Sequence, residues 1–158
     1  MTEVQAPNVE VAQAATWRAF KGKLKDAEIQ QFVDATTGAS RGLAVPAPIT
    51  ASASAYFGAI FGVVKCEPGH EPYLFEEYAW GIGASAGSGG GFLYTAYDSW
   101  DAFWEMTAGY HAQGIAEGGG ILQINFFNSS AVPIGQYNGV AGGIGVFECG
   151  GSGRWSKK

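Results

Sequence analysis

Two periodicities divide the chain. Up to Gly38 the apolar residues follow helical spacing, with Ile29, Phe32 and Val33 at i, i+3 and i+4 between Asp26, an acidic cap residue, and Gly38, a stop. This predicts a helix over residues 26–37, too short to hold without something to pack on. The stretch from Trp17 to Lys25 fits either a helix or a loop, and residues 1 to about 15 have the small, polar, proline-containing composition of a mobile terminus. Pro46 and Pro48 mark a boundary, so the chain divides into an extension, residues 1–48, and a main domain, residues 49–156.

Beyond the prolines the spacing changes to short apolar runs separated by Gly, Asn, Ser and Pro, the punctuation of a β-protein. Strands are expected from Ala51 to Lys65 with a bend near Gly58 or Gly62, from Tyr73 to Trp80, from Gly91 to Thr95, and from Gly120 to Asn128 with Leu122, Ile124 and Phe126 on one face. A further strand is expected around Val132 to Tyr137, then a hairpin at Asn138-Gly139 and a last strand from Gly142 to Cys149. Glycines alternating with bulky residues leave strand faces bare, which lets a sheet coil tightly or a neighbouring backbone come close. A small closed barrel satisfies this pattern, and closure also removes the edges that lysines would otherwise protect.

One helix interrupts the strands. Asp98 is the expected N-cap, and Trp100, Phe103, Trp104, Thr107, Tyr110 and His111 fall on one stripe of a helix ending near Gly114, with Asp101 and Glu105 opposite. Such a face reads first as a plug over one end of the barrel. Trp100, Phe103, Trp104, Tyr110 and His111 are also the candidate binding residues, should the stripe meet a partner instead.

Charge narrows the possible partners. Residues 66–153 contain no Lys or Arg but hold nine of the 14 acidic residues and 20 of the 25 glycines. That region repels polyanions, so nucleic acid is excluded as a partner. The one basic-aromatic patch is Arg18, Lys21, Lys23 and Lys25 beside Trp17 and Phe20, a candidate contact for anions or a membrane surface. The most apolar window, Ala51 to Val64, is shorter than the ~20 residues a membrane helix needs, and no transmembrane segment is expected. Met1 to Pro7 lacks the charged and apolar regions of a signal peptide, which predicts a cytoplasmic chain or one exported without a leader or after processing.

No catalytic or metal motif is convincing. Gly81-Ile82-Gly83-Ala84-Ser85-Ala86 satisfies the dinucleotide spacing G-x-G-x-x-A, but the glycines that follow cannot form the helix whose N-terminus holds a pyrophosphate. Glu76 and Glu77 point to opposite faces of a strand and cannot share a proton. His111 with Tyr110 and Glu105 is the one acid/base cluster available, with Glu105 turned away from His111 around the helix. Cys66 and Cys149 are expected as free, packed thiols, and no metal or cofactor is expected.

Several stretches resemble a known family. They are the run Gly81 to Gly91 leading into Phe92-Leu93-Tyr94-Thr95 ahead of an acidic helix start; Ile121 to Asn128, written I-L-Q-I-N-F-F-N; and Ile134-Gly135 ahead of Gly142-Gly143-Ile144-Gly145-Val146 and Gly150 to Trp155. Over about two thirds of the chain these resemble the virulence-associated Vap proteins first known from an actinobacterial pathogen. The resemblance implies a compact eight-stranded antiparallel β-barrel of two Greek keys with a short helix between them. It also implies a mobile N-terminal segment and a role as a secreted or surface virulence factor acting on host endolysosomal compartments, without an established enzymatic site. The function expected on this basis is non-enzymatic contact with a protein or membrane partner. The alternative is a barrel enclosing an apolar small molecule as carrier, cyclase or isomerase, and the filling of the interior separates the two.

Overall fold

The alternation beyond Pro48 forms a cylinder in the computed structural model, which describes residues 8–38, 45–58, 60–82, 85–116, 119–142 and 144–158. Expectations for residues 1–7 and for Gly83, Ala84 and Gly143 lie outside the described residues. Two helices, α1 (Val9–Phe20) and α2 (Asp26–Thr36), precede the strands β1 (Ile49–Gly58), β2 (Phe61–Pro68), β3 (Tyr73–Ile82) and β4 (Ser85–Thr95). Helix α3 (Trp100–Met106) leads to β5 (Gly109–Ile115), β6 (Ile121–Phe127), β7 (Pro133–Val140), β8 (Phe147–Ser152) and β9 (Trp155–Lys157).

All strand pairs are antiparallel and run in the order β2-β1-β4-β7-β6-β5-β8-β3-β9, and a β2–β3 pairing joins the ends. β8 and β9 share one place beside β3, with Ile82 opposite Glu148 at one end and Phe75 opposite Trp155 at the other. The wall therefore has eight positions. Strands β3-β2-β1-β4 and β8-β5-β6-β7 are each a Greek key, and α3 crosses between the two.

The interior is filled by side chains. β1 contributes Ala51, Ala53, Ala55 and Phe57, β6 contributes Leu122, Ile124 and Phe126, and β3 contributes Phe75 and Ala79. At one end Phe103 and Trp104 of α3 plug the cylinder: Phe103 packs edge-on to Phe126 at 5.4 Å, and Trp104 packs edge-on to Trp155 at 4.8 Å. At the other end Phe57 meets Phe147 at 5.1 Å, and the segment after β7 turns Ile144 inward to close the mouth.

Glycine decides how closely β4 and β7 approach. Gly91 lies opposite Gly139, and a Cβ at Gly91 would collide with the Asn138 carbonyl oxygen and the Gly139 Cα. The space left by Gly139 is occupied by the Tyr137 phenol, whose hydroxyl donates to the Gly89 carbonyl oxygen at 3.3 Å. A collision with backbone cannot be relieved by a rotamer change, so Gly91→Ala is expected to destabilise by about 3 kcal/mol, a fall of about 6–12 °C in melting temperature. Gly142→Ala, where a Cβ meets nothing within 4 Å, should change stability by less than about 0.5 kcal/mol. Equal melting curves for the two variants would refute this account.

α1 and α2 lie against the outside of β5, β6 and β7. The middle of the outward row of these strands carries amides, Gln113 opposite Gln123, Gln123 opposite Asn138 and Asn125 opposite Gln136, with Ile115 and Ile121 on one side of them and Phe127 on the other. α1 covers them with small residues, Ala12, Ala15 and Thr16, so its backbone comes within hydrogen-bonding reach. Gln123 Nε2 donates to the Ala12 carbonyl at 2.9 Å and to Asn138 Oδ1 at 2.9 Å, and Gln136 Nε2 donates to Thr16 Oγ1 at 2.9 Å and to Asn125 Oδ1 at 2.7 Å. α2 adds an apolar clasp in which Phe20 packs edge-on to Phe32 at 6.0 Å and to Phe127 at 5.7 Å. Gln136→Leu strands the partners of this network in a buried site and should cost about 1–3 kcal/mol in chemical denaturation. A neutral result would show that these amides contribute nothing to docking α1.

The structure corrects several local expectations. Residues 9–20 form a capped helix rather than a mobile terminus, with Asn8 Oδ1 accepting from Val11 N at 3.2 Å. The run from Ala51 to Lys65 is two strands of a hairpin, not one bent strand. α3 is capped by Ser99 rather than Asp98 and stops at Met106, because Thr107 donates its hydroxyl to the Phe103 carbonyl at 2.7 Å and Ala108 N already donates to Phe127 O at 2.8 Å. Residues 109–115 consequently join the wall as β5. Asn138-Gly139 is not a turn but lies within β7, near its C-terminal end, where Asn138 bonds to Gln123 and Gln136. The last long strand begins at Phe147, since the residues before it are spent on the inward loop around Ile144.

Candidate functional site

The residues singled out on the aromatic helix separate in space. Phe103 and Trp104 are buried in the plug, and Trp100 is half-buried and stacked on Trp104 at 5.3 Å. Tyr110 is on β5 and points inward, edge-on to Phe75 at 5.1 Å. His111 is the next residue of a strand and faces outward, where its Nε2 lies 2.6 Å from Glu148 Oε1. Tyr110 and His111 therefore cannot act on one substrate, and Glu105, on α3, is not the carboxylate that His111 meets.

The basic patch stays on the surface around the turn between α1 and α2. Lys21 is held by both carboxylate oxygens of Asp26 at 2.9 Å and lies 5.9 Å from the Trp17 ring centroid. Arg18, Lys23 and Lys25 are exposed, and the Lys25 backbone N–H donates to Glu28 Oε1 at 3.0 Å to cap α2. Glu76 and Glu77 part as expected: Glu76 pairs with Lys65 at 2.9 Å, while Glu77 accepts from the Arg154 backbone N–H at 3.2 Å. Its hydrogen bond to Glu76 raises Lys65 above the ordinary lysine pKa. No helix follows Gly81 and Ile82; the chain continues as strand β4.

The sequence reasoning missed a cluster of exposed aromatic rings. On the outer wall of β1, β2 and β3, Tyr56, Phe61, Tyr78 and Trp80 stand together, with Trp80 70% and Tyr78 66% exposed. Phe61 lies parallel to Tyr78 within 11° at 6.1 Å and packs against Trp80 at 5.2 Å. A signal for it existed: Tyr78 and Trp80 share the strand phase of the charged Glu76, so a period of two assigns all three to the solvent face. Tyr56 and Val63 continue into a groove of about 550 Å³ that also includes Ser52, Ser54, Lys65 and Ser88.

Two smaller clefts lie at the α3 end. One, of about 370 Å³, has Trp104 and Trp155 as walls and Asp101, Glu105 and Arg154 at its rim. The other, of about 250 Å³, runs between α2 and the segment around Val132 and Pro133. Among the described residues no group of three His, Cys, Asp or Glu could hold a metal ion, and no helix is long and apolar enough to cross a membrane.

Cys66 and Cys149 are free thiols inside the barrel. Burial pushes Cys149 up to about 12, and it pushes the Cys66 thiol and the Tyr110 and Tyr137 phenols well above their ordinary values. An unfolded thiol ionises near 9.0 while the buried Cys149 stays protonated to about 12, so the stability this group provides is intact below pH 9 and is lost as the pH climbs through that window. A thiol reagent at pH 8 should label neither cysteine in the native protein and both in denaturant, and the melting temperature should fall above pH 9. Rapid native labelling would contradict the burial of both thiols.

The topology defines a class: a small, filled, double Greek-key β-barrel, and this arrangement is the fold of the Vap proteins. The virulence-associated protein VapB from the intracellular pathogen Rhodococcus equi matches with a TM-score of 0.60 and 23% identity, over 71% of this chain and 98% of VapB. VapD from the same organism matches with a TM-score of 0.57 and 19% identity, over 70% of this chain and 97% of VapD. No family model and no curated protein sequence matches the chain. The likeness is thus one of fold, and it spans both neighbours almost end to end while leaving about three tenths of this chain outside.

Proposed function

We propose that the protein is a non-enzymatic binding barrel that works by surface contact, and that the wall of Tyr56, Phe61, Tyr78 and Trp80 is the contact surface. The observation that carries this reading is the exposure of four neighbouring aromatic side chains on one face of a rigid sheet. Tyr and Trp dominate binding hot spots because they offer large area at little conformational cost. A patch of this kind on a protein that has already filled its own core has no structural purpose there.

The interior supports contact over an enclosed ligand, since Phe57, Phe75, Phe103, Phe126 and Tyr137 occupy the space an apolar molecule would need. The predicted helix residues Phe103 and Trp104 are committed to that filling, which moves the proposed contact from the aromatic helix to the wall. The fold neighbours are virulence-associated proteins of an intracellular pathogen, and this makes a host cell the natural place to look for the partner.

Fluorescently labelled full-length protein applied to cultured animal cells should bind, and Tyr78→Ser/Trp80→Ser should reduce binding at least tenfold. The variant should melt within about 3 °C of the parent, because the rings it removes are exposed. Equal binding by both proteins, or none by either, would remove the wall from consideration.

A further inference from the structure

We propose that the groove beside the aromatic wall is a binding site for a neutral oligosaccharide, an inference that rests on the contact reading above and supplies its ligand class. A sugar ring presents an apolar C–H face and a rim of hydroxyls, so its site needs exposed aromatic surface next to unoccupied polar groups. Both occur here within one continuous surface.

The groove has a volume of about 550 Å³, within the ~300–1,000 Å³ range of small-molecule sites. Ser54 on β1 lies directly opposite Ser88 on β4, and Ser52 is two residues along the same face. The hydroxyls of these three serines make no hydrogen bond among the described residues, so all three are available to a ligand. Gly90, opposite Ser52, adds no side chain to the outer face beside these serines. Tyr56 and Val63 line the groove and also border the ring cluster, which places an aromatic face at its end.

Charge selects the class of sugar. The two charged residues lining the groove are already matched, Lys65 to Glu76 at 2.9 Å and Glu67 to Lys158 at 2.8 Å. With no unpaired cation at the groove, and none at all between residues 66 and 153, a sialylated or sulfated glycan or an anionic headgroup finds nothing to neutralise it. An uncharged glycan needs no such partner, and its hydroxyls can both donate to and accept from serine.

The test is chemical-shift mapping on the full chain with neutral tri- and tetrasaccharides of glucose, mannose, galactose and N-acetylglucosamine, alongside a sialylated trisaccharide and a heparin fragment. At least one neutral sugar at millimolar concentration should shift amides of residues 52–56, 63–67 and 88–90, with the charged pair silent. Ser54→Ala and Ser88→Ala should each weaken binding about threefold to tenfold, and Tyr56→Ala at least tenfold, with melting temperatures preserved. Silence with every neutral sugar, tighter binding of a charged one, or shifts mapping elsewhere overturns the proposal. If cell binding then still depends on Tyr78 and Trp80, the sugar assignment alone has failed and the contact is with protein. If sugar fills the groove while cell binding ignores the wall, the contact reading has failed and the glycan site stands.

Discussion

The joint between β4 and β7 is the constraint on which the barrel depends. The two Greek keys meet along two seams, and the other one is split, with Gly81 and Ile82 of β3 opposite Cys149 and Glu148 of β8 and Tyr73 to Phe75 opposite β9. Along β4–β7 the registry runs from Gly91 opposite Gly139 to Thr95 opposite Gly135, and at its tightest points no Cβ fits between the strands. Coiling of this sharpness requires glycine, because a side chain on the inner face would push the strands apart. Alanines on β1 and glycines on β4 make one side of the cylinder thin. The rings of β3, β6, β9 and α3 then occupy the remaining width.

Closing the cylinder also shapes what faces outward. Closure leaves only short stretches of strand edge unpaired among the described residues, such as the outer side of β9, so most of the surface open to recognition is made of side chains on the wall or at the ends. One stretch of wall is covered by α1 and α2, and another carries the exposed rings and the serine groove. The covered stretch is held through amides and helix carbonyls, while the barrel's own core contains no residue of α1 or α2.

Much of the β architecture was legible from residue spacing. The phase of Leu122, Ile124 and Phe126 put them on one face of β6, which the structure turns inward, and Tyr73 to Trp80 marked β3, because a half-buried strand repeats every two residues. The order of the two keys came from the family resemblance and not from spacing. The same logic broke down where two periods fitted one stretch: Trp100 to His111 matches a helical stripe, yet Tyr110, Ala112 and Gly114 also alternate, and pairing with β6 decided between them. α1 escaped notice because its buried face is Ala12, Ala15 and Thr16, too small to register as an apolar stripe.

By itself the sequence determined the class of the fold and the absence of cations from residues 66–153, since alternation and charge are local properties of the chain. Tertiary structure alone decided which glycines meet a neighbouring backbone, that Asn138-Gly139 runs through a strand, and that Ser54 and Ser88 share a groove with Tyr56. Those outcomes depend on which strands become neighbours. That choice is made when the whole interior is packed at once, and no local window of residues contains it.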